Sequence, residues 1–148
     1  MSGYQRLGDY QKVVDFYGDW PSFHDAEVLR LSFTRDAGLG AFGPTLELDI
    51  HAFQITDEVL ESGGLRLEKH ALISLAFFDV VELQITDFNT QNALLGLHID
   101  DITNRQLDGI FLDVELTPAW GLEARFQCRT GCVRSLVPGI PAASQYAE

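Results

Sequence analysis

The chain has 148 residues, with 22 acidic and 10 basic side chains, and a formal net charge of −12. This length suits one domain with a substantial core, and a hydrophobic content of 46% is typical of a folded globular protein. So negative a chain repels nucleic acid phosphates and anionic lipids, which argues against both as direct partners and favours a basic protein partner.

The cellular location of the protein can be predicted from its apolar segments. The first eight residues are polar, unlike a signal peptide, and the longest apolar run, Ala71 to Phe78, is too short to cross a bilayer. We therefore expect a cytoplasmic protein. Cys128 and Cys132 would be reduced there, and two cysteines alone cannot build a disulfide framework or a complete zinc site.

One helix is predicted, over residues 9–18. Asp9 can cap it, apolar and aromatic side chains recur on one face from Tyr10 to Tyr17, and Gly18 can end it. Pro21 then prevents any continuation of the helix.

Strands are predicted for the rest of the chain, because apolar and polar residues alternate from Ala26 onward. The alternating segments are 27–35, 45–50, 81–85, 95–99, 110–117 and 122–128, and such alternation is typical of antiparallel sheets with one solvated face. Residues 70–78 are apolar almost throughout, which predicts a central strand covered on both faces, with the helix as a candidate cover.

The predicted fold is a mostly β (α+β) domain over residues 1–137. About eight antiparallel strands would form a curved sheet, as a sandwich or a partly open barrel, with the N-terminal helix 9–18. Residues 138–148 are predicted to be a loosely ordered C-terminal tail. The turn at residues 129–131 suits a hairpin that would bring Cys132 opposite Cys128, as a structural contact or, alternatively, a redox pair.

A glycine-rich stretch, residues 38–43, matches the G-x-G-x-x-G pattern of dinucleotide-binding turns. That chemistry needs a helix N-terminus after the last glycine, whereas here Pro44 follows and a strand is predicted from Thr45. We interpret the stretch as a loop between antiparallel strands.

Four histidines lie among many carboxylates, and these are His24, His51, His70 and His98. Their spacing contains no H-x-H or H-x-x-x-H pair that would orient a metal, and no serine or cysteine occupies a strained turn beside a base. The sequence thus predicts no catalytic residue, metal or cofactor. A hydrolase or metal-dependent enzyme using His24, Asp25 and His51 is the main alternative, and a small-ligand-binding β domain is another.

The most distinctive stretch is W-P-S-F-H-D-A-E-V, residues 20–28, where the helix leads into the first strand. We expect Trp20 and Phe23 to pack beneath the helix, and His24 and Asp25 to fix this corner by hydrogen bonds to nearby backbone. A partner-binding or catalytic corner is the alternative.

Two further motifs follow in the chain, I-H-A-F at residues 50–53 and the amide-rich turn D-F-N-T-Q-N at residues 87–92. The turn's side chains are expected to bond their own backbone, with a peptide or sugar as the alternative ligand. With these three motifs in this order, the chain resembles the immunity protein 50 family. The resemblance implies a bacterial antitoxin-like protein that binds a cognate polymorphic toxin and neutralises it inside the producing cell, and it supplies no known contact residue.

An acidic interface fits this implication, because carboxylates can occupy the basic cleft of a toxin as substrate phosphates would. Phe111, which interrupts the polar side of its strand, is a candidate apolar anchor. The candidate acids on strands and loops are Glu47, Asp49, Asp57, Glu58, Glu61, Asp100, Asp101, Asp113 and Glu115.

Overall fold

The computed structural model describes residues 2–35 and 43–147, so the predicted glycine-rich loop falls outside the described residues except for Gly43. Within them the chain forms one helix and eight antiparallel strands in one sheet that is not closed, which confirms the predicted mostly β fold. The elements are α1 (Gln11–Tyr17), β1 (Glu27–Thr34), β2 (Thr45–Val59), β3 (Leu65–Phe78), β4 (Val81–Thr86), β5 (Ala93–Asp101), β6 (Leu112–Trp120), β7 (Glu123–Cys128) and β8 (Thr130–Pro138).

The strand order is β4-β7-β6-β5-β1-β2-β3-β8. The β4-β7-β6-β5 half and the β1-β2-β3-β8 half share a single register pair, Glu27 with Ala93. Only two residues separate β3 from β4, and only Arg129 separates β7 from β8. The sheet therefore curls, and the inner faces of its two halves pack together. The ring centroids of Phe77 on β3 and Phe126 on β7 lie 5.2 Å apart.

The predicted hairpin between β7 and β8 is wrong. β7 already has β6 on one edge and β4 on the other, so β8 pairs with β3 instead. Cys128 lies opposite Leu112 and Cys132 lies opposite Ala76, and both thiols are free. Burial raises the pKa of both thiols, most strongly that of Cys128, so neither is activated as a nucleophile.

The helix is shorter at its start than predicted. Asp9 has a left-handed φ of 59°, and the residue before the helix, Tyr10, makes no capping hydrogen bond through its side chain. The helix ends as predicted at Gly18, whose φ is 87° and whose N–H donates to the Val14 carbonyl at 2.7 Å. The main strand contact of α1 is with β8, so the helix is not the principal cover of β3.

The strands β2 and β3 extend well beyond their predicted ends, to Val59 and from Leu65, and form a long hairpin. The outer part of this hairpin is mostly exposed, which explains why its residues lack a strong strand pattern. In the described residues, no helix has the length and apolar character needed to span a membrane.

Candidate functional site

The corner at residues 20–26 carries the chain from α1 into β1. Phe23 is 2% exposed and lies in the core, whereas Trp20 is half-buried and stacks on Tyr4, with ring centroids 4.9 Å apart and planes at 7°. The edge of the Phe23 ring meets Trp20 at 5.6 Å. Aromatic packing therefore fixes the corner from both sides of Trp20.

The backbone of this corner is unusual, because Phe23 and Asp25 have φ values of 59° and 64°. A bulky residue such as Phe23 rarely adopts the left-handed region. The Asp25 N–H donates to the Leu94 carbonyl at 2.8 Å, and the ring Nδ1 of His24 lies 3.3 Å from the Leu95 carbonyl oxygen. The strained turn thus joins the start of β1 to β5 and leaves the side chains of His24 and Asp25 about half exposed.

A buried row of ionisable groups begins at Glu27, the first residue of β1. Glu27 and His51 are register partners on β1 and β2, and the Glu27 Oε1 lies 2.6 Å from His51 Nδ1. His51 Nε2 lies 2.9 Å from His70 Nδ1. Glu27 is 7% exposed, His51 is fully buried and His70 is half-buried. Burial and the neighbouring His51 lower the pKa of His70, and Glu27 partly opposes this shift.

The C-terminal segment covers this row, although a loose tail is predicted for residues 138–148. The Ser144 hydroxyl donates to Glu27 Oε1, and the Gln145 N–H donates to Glu27 Oε2 at 3.0 Å. The Tyr146 ring packs edge-on against Phe53 with centroids 5.6 Å apart. These contacts explain how the outward side of β1 and β2, expected to be wet, buries a carboxylate whose oxygens all have donors.

The amide-rich turn at residues 87–92 holds the other side of β1. Asn92 accepts hydrogen bonds at its Oδ1 from the N–H groups of Asn89 and Leu122, at 2.8 and 3.1 Å, and its carbonyl accepts from Val28 N–H at 2.9 Å. The turn thus bonds its own and neighbouring backbone, as expected. Motif residues from all three stretches meet at the start of β1, which makes them primarily a structural joint.

The enzyme alternative required His51 to act with His24 and Asp25. His51 is buried and both of its ring nitrogens are hydrogen-bonded, so it has no free nitrogen for a metal or a substrate. Among the residues that the structure describes, no group of three His, Cys, Asp or Glu side chains is placed to hold a metal ion. Large side chains such as Phe77 and Phe126 fill the interior, where a small ligand of a β barrel would bind.

Several of the predicted interface acids already face arginines. Arg30 lies 3.8 Å from both Glu47 and Asp49, and Glu47 also lies 4.0 Å from Arg134. Both acids are half-buried, and Asp49 also accepts a hydrogen bond from Ser74 at 2.8 Å. Their negative charge is therefore partly neutralised by arginines of the sheet.

The predicted acids on β5 and β6 are similarly engaged, and Asp100 and Asp101, expected in a loop, are the last two residues of β5. Asp113 is 8% exposed and lies 3.1 Å from Arg125, which neighbours the half-buried Glu115 across the strands. Hydrogen bonds from Thr103, followed by Arg6 at 2.6 Å, lower the pKa of Asp101 to about 2.

Phe111, expected to be exposed, is half-buried, with the guanidinium of Arg6 5.7 Å from its ring centroid. Asp100 is exposed, and Ser2 forms a backbone bridge to it.

Three of the predicted acids lie near the tip of the β2–β3 hairpin. Asp57, Glu58 and Glu61 are all exposed, and Glu58 lies 3.0 Å from Arg66. Asp57 and Glu61 make no ion pair with any described residue. The structure therefore distributes the predicted acidic interface over three regions rather than one face.

A surface groove of about 840 Å³ lies between the corner and the outer half of β2. Its lining includes four residues of the corner motif and two acids that sequence reasoning did not select, Asp19 and Glu68. Tyr17, 6% exposed, also lines it, and the Tyr17 hydroxyl has no hydrogen-bond partner in the described part of the chain. The lining residues are Tyr17, Asp19, Trp20, Pro21, Ser22, His24, Phe53, Gln54, Ile55, Thr56, Asp57, Glu68 and Leu95. From the sequence, the first motif and the candidate acid Asp57 pointed to this region.

The model of the immunity protein 50 family matches residues 9–138, a span that contains all three motifs. No curated protein and no solved structure matches the chain. The family match confirms the resemblance that the motifs indicate, and it covers the helix and all eight strands described above. The chain therefore belongs to the immunity protein 50 family.

Proposed function

We propose that this protein neutralises a cognate bacterial toxin by binding it through an acidic protein–protein interface, without turnover. The observation that carries the proposal is the family match over residues 9–138, because membership of an immunity protein family implies binding of a cognate toxin. The excess of 22 acids over 10 bases supports a partner with a basic surface.

Charge and packing have separate roles in this proposal. The negative field of the chain speeds encounter with a basic toxin, and an apolar cluster at the centre of the interface supplies most of the lasting affinity. The interface would bury about 1,200 to 2,000 Å², the usual range for a stable complex. We place the neutralisation in the cytoplasm of the producing cell, where a polymorphic toxin would otherwise act on its own producer.

The candidate acids contribute unequally in this scheme. Asp57 and Glu61 are exposed and make no ion pair with a described residue, so they can meet partner cations without breaking an internal contact. Glu47, Asp49 and Asp113 would first have to leave Arg30, Arg134 or Arg125. The β2–β3 hairpin is therefore the favoured part of the acidic interface.

Co-expression with the toxin encoded by the adjacent gene tests the proposal. We expect a complex that survives purification, protection of the producing cell, and an association rate constant that falls as the salt concentration rises. The absence of a complex at low salt would refute the binding function. An association rate that ignores ionic strength would refute the electrostatic part.

A further inference from the structure

We infer that the groove between the corner and the outer half of β2 is the docking site for a cationic loop of the toxin, one that carries lysine or arginine beside an apolar side chain. This inference rests on the proposed function and adds the location and the chemistry of the contact. The groove comprises the lining residues given above.

The shape of the groove supports a side chain or loop of a partner rather than a flat contact. The corner forms one wall, with Trp20 held against Tyr4 and Phe23, and the outer half of β2 forms the opposite wall. A hydrogen bond from Gln54 Nε2 on β2 to the Tyr17 carbonyl, at 2.9 Å, joins β2 to the end of α1 within the lining of the groove. A preformed groove costs little ordering entropy when a partner enters.

Apolar side chains at the groove remain in contact with water. Ile55 is 40% exposed and Leu95 is 54% exposed, and the half-buried Trp20 lies between the core and the groove. A partner that covers these side chains removes apolar surface from water, which is the main source of affinity at protein interfaces.

The negative charge of the groove favours a positively charged partner. Three carboxylates line it, those of Asp19, Asp57 and Glu68, and no lysine or arginine is among its described lining residues. None of the three carboxylates lies within ion-pair distance of a described basic side chain, in contrast to Glu47, Asp49 and Asp113. Asp19 accepts only the N–H of Trp20, at 2.7 Å. These carboxylates can therefore bind guanidinium or ammonium groups without breaking an ion pair with a described residue.

The test compares two triple variants that remove the same total charge. The groove variant is Asp19→Asn with Asp57→Asn and Glu68→Gln, and each substitution keeps the size of the side chain. The matched control is Glu82→Gln with Asp108→Asn and Glu123→Gln, three exposed acids in the other half of the sheet and the loop before β6. Circular dichroism and thermal unfolding first establish that both variants are folded. Binding to the product of the adjacent toxin gene is then measured by surface plasmon resonance.

Both variants should slow association by a similar factor, because long-range attraction depends on total charge. Only the groove variant should also speed dissociation, with a loss of affinity of about tenfold or more for each carboxylate that meets a cation. A further variant, Leu95→Ala, should raise the dissociation rate without changing the salt dependence of association, because it removes apolar contact alone.

Three outcomes separate the two proposals. If the wild-type chain forms no complex, the proposed function fails. If the wild-type chain binds and the groove variant dissociates as slowly as the control, the toxin docks elsewhere and the function stands. If the control variant dissociates as fast as the groove variant, the contact is not specific to the groove and the inference fails.

Discussion

Glu27 and His51 are register partners on adjacent strands, and a 2.6 Å hydrogen bond joins the carboxylate to the imidazole beneath the C-terminal segment. This pair ties the first two motifs together, because Glu27 belongs to the corner motif at residues 20–28 and His51 lies in the I-H-A-F strand. Removing one partner of a buried, hydrogen-bonded pair leaves the other unsatisfied, which costs more than the pair contributes when intact.

The substitution Glu27→Gln tests the buried row. The amide keeps the shape of the side chain but loses one acceptor oxygen, so one of the donors Ser144, Gln145 or His51 is left without a partner. We expect the free energy of unfolding to fall by roughly 1 to 3 kcal/mol, measured by urea denaturation. The exposed substitution Glu123→Gln is the control and should change it by less than about 0.5 kcal/mol. Equal effects of the two substitutions would contradict a structural role for Glu27.

The pH dependence of stability should report His70. Its pKa in the folded protein is lowered by burial and by His51, so the unfolded state binds more protons than the folded state in the range just below the ordinary value. Stability should therefore fall as the pH decreases through about 6.5, the ordinary pKa of histidine, and level off below the folded pKa.

The variant His70→Gln isolates this contribution, because glutamine does not titrate. The difference in unfolding free energy between wild type and variant should shift against the wild type between about pH 7 and pH 5. A difference that stays constant over this range would show that His70 has the same pKa in both states.

Gly121 should tolerate no side chain. Its φ is 82°, and a Cβ atom would lie 2.3 Å from the Gln91 carbonyl oxygen and 2.8 Å from Asn92 Oδ1. Gly63 has a similar φ of 92° but open space around it, so Gly63→Ala measures the backbone cost alone, about 1 to 2 kcal/mol. We expect Gly121→Ala to cost at least about 2 kcal/mol more than that in chemical denaturation. Similar losses in both variants would mean that the 87–92 turn moves away easily.

Tyr17→Phe should not destabilise the protein. The Tyr17 hydroxyl is buried without a partner in the described residues, and its pKa is raised by that burial. Removing it relieves a desolvation cost, so the free energy of unfolding should stay the same or rise by about 1 kcal/mol. A loss of stability in thermal and urea unfolding would reveal a hydrogen bond to the hydroxyl.

Local sequence patterns predicted the strands and the helix because burial on one side of an element imposes a period on the chain. The alternation at residues 45–50 and 110–117 reflects directly which side chains face the core. The outer hairpin of β2 and β3 has little core to face, so its pattern is weak and its length was missed. The prediction of a β7–β8 hairpin was wrong for a different reason. Strand pairing depends on which strand edges are still free, and both edges of β7 are occupied.

The candidate site was only partly predictable from sequence. The corner motif indicated the right region, and Asp57 was selected as an exposed acid. Asp19 and Glu68 were not selected, because which carboxylates share a groove depends on the curl of the sheet. We did not predict from the sequence that Glu27 and His70 lie at the two ends of a hydrogen-bonded row through His51. A carboxylate at the start of an apolar strand is nevertheless a usable signal for a buried polar contact.

The contacts of Ser144 and Gln145 with Glu27 have a consequence for the order of synthesis. Glu27 emerges early during translation, yet two of its hydrogen-bond donors lie among the last residues of the described chain. In a nascent chain that ends before Ser144, Glu27 lacks two of its hydrogen-bond donors, and its row with His51 and His70 is not yet covered. We therefore expect protein truncated after Pro138 to be more easily cleaved by proteases at β1 than the chain that includes Ser144 and Gln145.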